Sequence, residues 1–344
     1  MSRDTTAGGG MGLVSEDHIL ACIARHFPGT HPAVLLGRGD DCAVLRAGAD
    51  LCVSSDLFLE DVHFRRSYFR PEEVGYKALA VNISDVAACG GRPLGFTLSL
   101  GLPRDVDMPW LEGFFRGMAA LADRHRMALV GGDLSGSPCI HVSITVWGEV
   151  RADSLLTRGN GLPGDSLFVV GSLGLARVGL EELEARGDAA RALWPDACRA
   201  HLLPLPQVDA GMTLARAGFN ARPPALMDVS DGLARDLPRL LGITPGGAQV
   251  SGRHLGAELL LPQGMLPPEV VRHAREKGRN AVTEALLGGE DYALLGSCAP
   301  DMLPALKAAL PQLMPIGTVT SSGRILCNGQ PLEGARGFDH FGGA

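Results

Sequence analysis

Aspartates recur at the ends of apolar runs in this sequence, and their placing is the first sign of chemistry. Asp40-Asp41 follow the turn Gly37-Arg38-Gly39, Asp56 follows the run Leu51 to Ser54, Asp133 follows Ala128-Leu129-Val130-Gly131-Gly132, and Asp228 and Asp231 follow Ala225-Leu226-Met227. A strand that ends on Asp beside Gly or Ser delivers an oxygen acceptor to the rim of a sheet, where ligands of α/β domains collect. Asp85 differs, lying late in a helical pattern three residues after Asn82 and so on the same face. Taken singly, each Asp reads as well as a helix cap or turn former. Clustered, they would repel one another unless cations were shared among them, and an all-oxygen ligand set suits Mg²⁺, which completes its octahedron with waters and substrate phosphates. Only three of the 31 cationic side chains are Lys (Lys77, Lys277, Lys307), so several metal ions would let such a chain bind polyphosphate without a lysine-rich loop.

Other chemistries lack their motifs. No G-x-x-x-x-G-K-[ST] loop precedes any of the three lysines, the ten histidines form no H-E-x-x-H, no G-x-S-x-G elbow occurs, and no G-x-G-x-x-G follows an apolar strand pattern. The eight cysteines include no C-x-x-C, which indicates buried thiols in a reducing cytoplasm rather than zinc or a disulfide framework. A net charge of −7 without a basic run argues against a nucleic-acid partner. Apolar stretches such as Leu94 to Leu102 and Ile140 to Trp147 are far shorter than the ~20 residues that span a bilayer, so no membrane is expected. Phosphoryl transfer on magnesium remains.

The elements that must carry these residues follow from periodicity. Ser15-Glu16-Asp17 with Ile19, Leu20, Ile23 and Phe27 predicts a capped first helix ending at Pro28. After it come a strand at Leu51 to Ser54, a helix from Pro71 to Cys89, a strand at Phe96 to Leu100, a helix from Pro109 to Arg126, and strands at Ala128 to Val130 and Ile140 to Val150. Arg, Asn, Gly and Pro cluster in Arg151 to Asp165 as in a linker, and a new alternation of strands and helices starts at Ser166 to Val170. Later segments include a helix at Gln207 to Ala217, a strand at Ala225 to Met227 and a strand at Tyr292 to Gly296. The expected fold class is α/β (α+β) in two domains, 15–150 and 151–344, after a Gly-rich segment 1–14 expected to be disordered and to be no signal or transit peptide.

The order of motifs carries a resemblance. Gly37-Arg38-Gly39-Asp40-Asp41-Cys42-Ala43-Val44, Ser54-Ser55-Asp56, Val62-His63-Phe64, Tyr76-Lys77-Ala78-Leu79-Ala80-Val81-Asn82-Ile83-Ser84-Asp85, Gly131-Gly132-Asp133, Leu156-Thr157-Arg158, Asp228-Val229-Ser230-Asp231-Gly232-Leu233, Gly288-Gly289-Glu290-Asp291-Tyr292 and Gly337-Phe338-Asp339-His340-Phe341 occur in sequence. Together they resemble the thiamine-monophosphate kinase family of the aminoimidazole-ribonucleotide-synthetase-like superfamily, from about Ser15 to Phe341.

The resemblance implies a cytoplasmic homodimer formed through the N-terminal domains, with ATP and several Mg²⁺ ions held between domains and subunits. It implies ATP-dependent phosphorylation of thiamine monophosphate to thiamine diphosphate. Asp41, Ser54, Ser55, Asp56, Asp85, Asp133, Asp228 and Asp231 match metal-ligand positions, the six aspartates carrying the catalysis. Gly132, Asp133, Arg158 and Ser230 match positions that contact ATP, while His63 and Glu290 match positions that contact thiamine monophosphate. This chain departs from the pattern at Leu134-Ser135-Gly136, where many members carry Thr-Thr-Arg, and at Ala335, where members often place a Trp, leaving Phe338 as the candidate aromatic. The alternatives are another ATP-dependent enzyme of the superfamily with a different small acceptor, or a nucleotide-binding regulatory protein without turnover.

Overall fold

The computed structural model describes residues 16–27, 31–32, 34–36, 44–45, 48–219, 221–243 and 255–332. The segment 1–14, the motif 37–43 with Asp41, and Ala335 and Phe338 lie outside the described residues.

The first half follows the expected order. Helix α1 (Glu16–His26) and the short antiparallel pair β1 (Val34–Leu36) and β2 (Val44–Leu45) precede β3 (Asp50–Leu59), α2 (Pro71–Ala88), β4 (Arg92–Leu102), α3 (Met108–His125), β5 (Ala128–Gly136) and β6 (His141–Val150). The last four strands form one sheet in the order β3-β6-β4-β5, antiparallel except for the parallel β4/β5 pair. Strands β3 and β5 run past their apolar cores, so Ser55, Asp56 and Asp133 lie inside strands rather than beyond their ends. That corrects the expected strand ends. The physical reason is that one face of this sheet is uncovered: along β3 the alternate residues Leu51, Val53 and Leu57 are 40%, 65% and 58% exposed, while Phe58 is buried. Alternation places a polar residue on such a face, or opposite a polar helix residue, without ending the ladder.

Helix α2 is the axis of the molecule. Pro71 begins it, Glu73 reaches back to accept the Arg70 N–H at 2.8 Å, and Gly90, at φ +72°, follows its C-capping residue Cys89. It lies against α3 on one side and against a helix of the second half on the other, approaching both through small residues. A Cβ at Gly75 would stand 1.9 Å from the Phe114 carbonyl oxygen. One at Gly211 would stand 2.1 Å from that of Ala87. Close approach on two sides holds the polar residues of α2 in fixed positions.

The second half begins after two 3-10 turns, Ala152–Ser154 and Arg158–Asn160, in the expected linker. Its elements are β7 (Ser166–Val170), α4 (Leu175–Arg186), α5 (Ala190–Leu193), α6 (Pro195–Leu202), α7 (Val208–Gly218), β8 (Ala225–Asp228), α8 (Leu233–Leu240), β9 (Gly256–Leu259), α9 (Pro268–Glu276), α10 (Ala281–Leu287), β10 (Leu294–Cys298), α11 (Leu303–Ala309), β11 (Leu313–Thr320), β12 (Ile325–Cys327) and β13 (Gln330–Pro331). The strands form a seven-stranded mixed sheet in the order β13-β12-β9-β11-β7-β10-β8. Both faces are covered, as the period of β7 requires: Phe168 and Val170 enter the core shared with α1, α2 and α3, while Leu167 and Val169 enter the one beneath α8 and α10. Strand β10 starts at Leu294, not at the expected Tyr292, because Glu290 and Tyr292 adopt φ of +63° and +47° and cannot extend a ladder. Among the described residues no helix is long and apolar enough to cross a membrane.

Candidate functional site

Three carboxylates from three elements meet where the two halves touch. Asp56 comes from the inward-facing register of β3, Asp85 from the last turn of α2, and Asp228 from the C-terminal end of β8. Serine hydroxyls from α2 and β3 hold two of them, and an α2 amide holds the backbone of the third. Ser84 Oγ donates to Asp228 Oδ2 at 2.8 Å, Asn82 Oδ1 accepts the Asp56 N–H at 3.2 Å, and Ser54 Oγ donates to Asp85 Oδ2 at 2.5 Å. The Asn82 and Asp85 spacing thus places both against β3, as the helical period indicates.

The group carries too much negative charge for its surroundings. Burial, then the charge of Asp85, pushes Asp56 up to about 6. The same two causes push Asp228 up to about 7. Burial also raises Asp85, against the Ser54 hydroxyl and the charge of Arg158. Carboxylates that hold protons this strongly are seeking cations, and the carboxylates and serine hydroxyls gathered here offer oxygen ligands. Hence the residues fit Mg²⁺.

Two recesses meet here. The larger, of about 710 Å³, is lined by Asp56, Asp85 and Asp228 together with His63, Ser230, Asp231, Glu290 and the rings of Phe58, Phe64, Tyr68 and Tyr292. The smaller, of about 300 Å³, is lined by Ser54, Thr157, Arg158, Cys52 and Cys89, and again by Asp85 and Asp228. Asp231 sits in the turn after β8 with its Oδ2 2.7 Å from Arg239 Nη1, and Gly232, at φ +102°, opens α8 beside it. His63 Nδ1 accepts the Leu59 N–H at 3.0 Å, leaving its proton on Nε2, and its ring stacks on Phe58 at 5.6 Å.

Glu290 is held more firmly than a lone loop carboxylate. Its N–H donates to the Ser230 carbonyl at 2.7 Å, the Tyr292 N–H donates to that of Val229 at 2.9 Å, and the Asp291 carboxylate accepts the Gly174 and Ala176 N–H groups at the start of α4. These bonds sustain two non-glycine residues in the left-handed region, at about 1 kcal/mol each. Glu290 Oε2 lies 3.1 Å from Lys77 Nζ and 3.1 Å from His201 Nδ1. Burial works against its charge, but Lys77 and His201 outweigh burial and hold it down at about 2. Lys77 and His201 thus brace a residue of the larger recess, and the motif reading gave neither of them a role. For Lys77 a signal existed, since a charge inside the buried run from Val74 to Leu79 must be paired. His201 had none.

Other expected ligands stand elsewhere. The register aligns Asp133 with Ser99, Ser99 with Ser143, and Ser143 with Leu57, so Asp133 projects from the uncovered face, opposite to Asp56. Ser55 shares that face, its Oγ 3.0 Å from Thr145 Oγ1. Gly132 is confined by close approach, since a Cβ there would lie 1.8 Å from the Leu98 carbonyl oxygen.

Comparison with known proteins bears on the chain as a whole. Residues 39–150 match the family model described as AIR synthase related protein, N-terminal domain. The thiamine-monophosphate kinase of Synechococcus elongatus is 34% identical over 314 residues, covering 88% of this chain and 91% of that protein. Among solved structures, the thiamine-monophosphate kinase of Stenotrophomonas maltophilia K279a superposes with a TM-score of 0.75 at 32% identity, over 92% of this chain and 96% of that one. AaThiL, solved in complex with AMPPCP and TMP, gives a TM-score of 0.73 at 30% identity, over 98% of this chain and 99% of that one. Nearly full-length relatives at this identity leave one assignment: the chain belongs to the thiamine-monophosphate kinase family.

Proposed function

We propose that this chain transfers the γ-phosphoryl group of ATP to the phosphate of thiamine monophosphate, giving thiamine diphosphate. The observation that carries the reading is that Asp85 and Asp228 line both recesses, so two bound anions would meet at one carboxylate cluster. Relatives of that name, and a relative solved with AMPPCP and TMP, support the two substrates. We assign the smaller recess, with Arg158, to ATP; Ser230, on the adjoining larger recess, and Gly132 and Asp133, on the uncovered sheet face, are proposed as further ATP contacts, the last two across an interface with a second copy. The larger, with His63 and Glu290, is assigned to the acceptor.

The chain's own side chains then orient rather than activate. A phosphate monoester has a second pKa near ~6 and is already a nucleophile at neutral pH, so the reaction needs no general base. Asp56, Asp85 and Asp228, with Asp41, Ser54, Ser55, Asp133 and Asp231, are the proposed Mg²⁺ ligands, and the bound ions would offset the charge of the meeting phosphates. Asp133 and Ser55 project from the uncovered sheet face together with the exposed Leu51, Val53 and Leu57, and a second copy covering that face would bury the apolar side chains beside them. That supports a homodimer through the domain 15–150, with 151–344 as the second domain. Seven described cysteines, all free thiols, support a reducing cytoplasm. The charge of −7 supports the absence of a nucleic-acid partner.

The deciding experiment follows ADP release on addition of thiamine monophosphate, with product identified chromatographically, in Mg²⁺ and in EDTA. Thiamine diphosphate formed in proportion to ADP, only with metal, is expected. ADP release that needs no thiamine monophosphate, or none with it, transfers the assignment to another acceptor or to a protein without turnover.

A further inference from the structure

Lys77, His201 and Glu290 come from α2, α6 and the loop after α10, and they form a contact of unusual shape. Both donors converge on one oxygen, Glu290 Oε2, at 3.1 Å each. Lys77 and His201 are wholly buried, with side-chain exposures of 0% and 1%, whereas the Glu290 side chain is 25% exposed and lines the larger recess. The carboxylate is therefore gripped from its buried side, and both donors make their nearest approach to the same oxygen.

The tautomer follows from the partners. His201 Nε2 has no hydrogen-bond partner among the described residues, while Nδ1 faces Oε2, so the proton belongs on Nδ1. Lys77 Nζ, 3.4 Å from Nδ1 and 5.5 Å from the Phe69 ring centroid, donates to the same carboxylate. An ion pair placed only for stability would be an expensive choice here, because two buried charges seldom gain more than their desolvation costs. A buried pair whose anion also lines a cavity is suited to recognition instead.

We infer that Lys77 and His201 are positioning residues that pin Glu290 Oε2 so that Oε1 is presented, fixed and anionic, to the cationic ring end of the acceptor. The inference rests on the acceptor being thiamine monophosphate. Helix α2 supplies the ruler: Lys77 and Asp85 are eight residues apart, about 12 Å along the axis, so one rigid element sets the distance between ring recognition and the carboxylate cluster. An acceptor with its phosphate at the cluster and a cationic ring system at its other end spans such a separation. Lys77 and His201 would touch neither substrate.

A double-mutant cycle tests this on the intact enzyme. Lys77→Met and Glu290→Gln should each raise the KM for thiamine monophosphate roughly 10-fold or more, as loss of a charge-assisted contact does, with kcat and the KM for ATP changed less than threefold. The double variant should be no worse than Glu290→Gln alone, because Lys77 acts only through Glu290. His201→Phe should resemble Lys77→Met, and His201→Asn, which can restore a donor at the Nδ1 position, should recover most of the lost affinity. If Lys77→Met does not fold, the same cycle is run with His201→Phe. Additive effects in the double variant, or equal losses in kcat and in ATP affinity, overturn the inference and leave the function standing. A wild-type chain without thiamine monophosphate turnover overturns both.

Discussion

Replacing Asp228 by Asn should stabilise the metal-free chain at pH 8 while removing most of its turnover. Asp228 is only 6% exposed, and burial together with Asp85 raises it from an ordinary 3.8 to about 7. A folded-state value above the unfolded one means that the protonated form contributes stability in full below pH 3.8. That contribution is lost as the pH rises through the window from 3.8 to about 7. At pH 8 the ionised group costs on the order of 4 kcal/mol against an unperturbed carboxyl. Part of that cost is repulsion shared with Asp85 and Asp56, and a buried amide keeps a desolvation cost of its own, so Asn should recover about 2 kcal/mol. For a chain of this length that is a rise in Tm of about 3 °C.

The assay is thermal unfolding followed by circular dichroism in EDTA at pH 8, 6.5 and 5. The advantage of Asp228→Asn should be largest at pH 8 and should shrink steadily as the pH falls. Addition of Mg²⁺ should reverse the order of stabilities, since an ion that binds only the folded wild type stabilises it by mass action. A variant no more stable than wild type at pH 8 in EDTA refutes the claim that the cluster is held together against its own repulsion.

Asp85→Asn should lower kcat by at least ~10²-fold at saturating Mg²⁺ with fold intact, whereas the same change at Asp50, exposed at the start of β3, should leave the rate unaltered; steady-state kinetics separate the two. Calorimetric titration should find ATP binding strongly weakened in excess EDTA, and full affinity without divalent metal would end the ion-clamp argument. Val53→Asp and Leu57→Asp, on the uncovered face, should shift the chain toward monomer in light scattering and lower its activity, because charge there opposes burial against a second copy.

The alternation of elements was legible because it rests on period alone. Strand β7 was readable to the residue, since Ser166 to Val170 is an apolar run bounded by Gly164-Asp165 and Gly171. Helix α6 was not, because Pro195 reads as a breaker and only the structure shows it at the first helical position, where a missing N–H does no harm. The strand ends were misjudged for a related reason. Periodicity tracks burial, and Ser55, Asp56 and Asp133 are polar for the sake of the site or of the uncovered face while the backbone ladder continues through them.

The site divides along the same line. Residue type could nominate Asp56, Asp85 and Asp228, but it could not say that Asp133 points away from them, because that depends on the register of three strand pairs. Nor could it find His201, whose role exists only through a contact with residues 124 positions before it and 89 after it, Lys77 and Glu290. Motifs record residues at fixed local spacing, whereas a buried charge is balanced by whatever the fold brings within about 3 Å. In this chain the two kinds of residue have opposite energetics. Lys77 and Glu290 neutralise each other inside the protein, while Asp56, Asp85 and Asp228 form no ion pair among the described residues and repel one another. The proposed Mg²⁺ would relieve that repulsion on binding. The occupied and empty forms should therefore differ in stability far more than two forms that differ by a ligand in a neutral pocket, and the contrast is greatest above pH 7, where no proton can stand in for the metal.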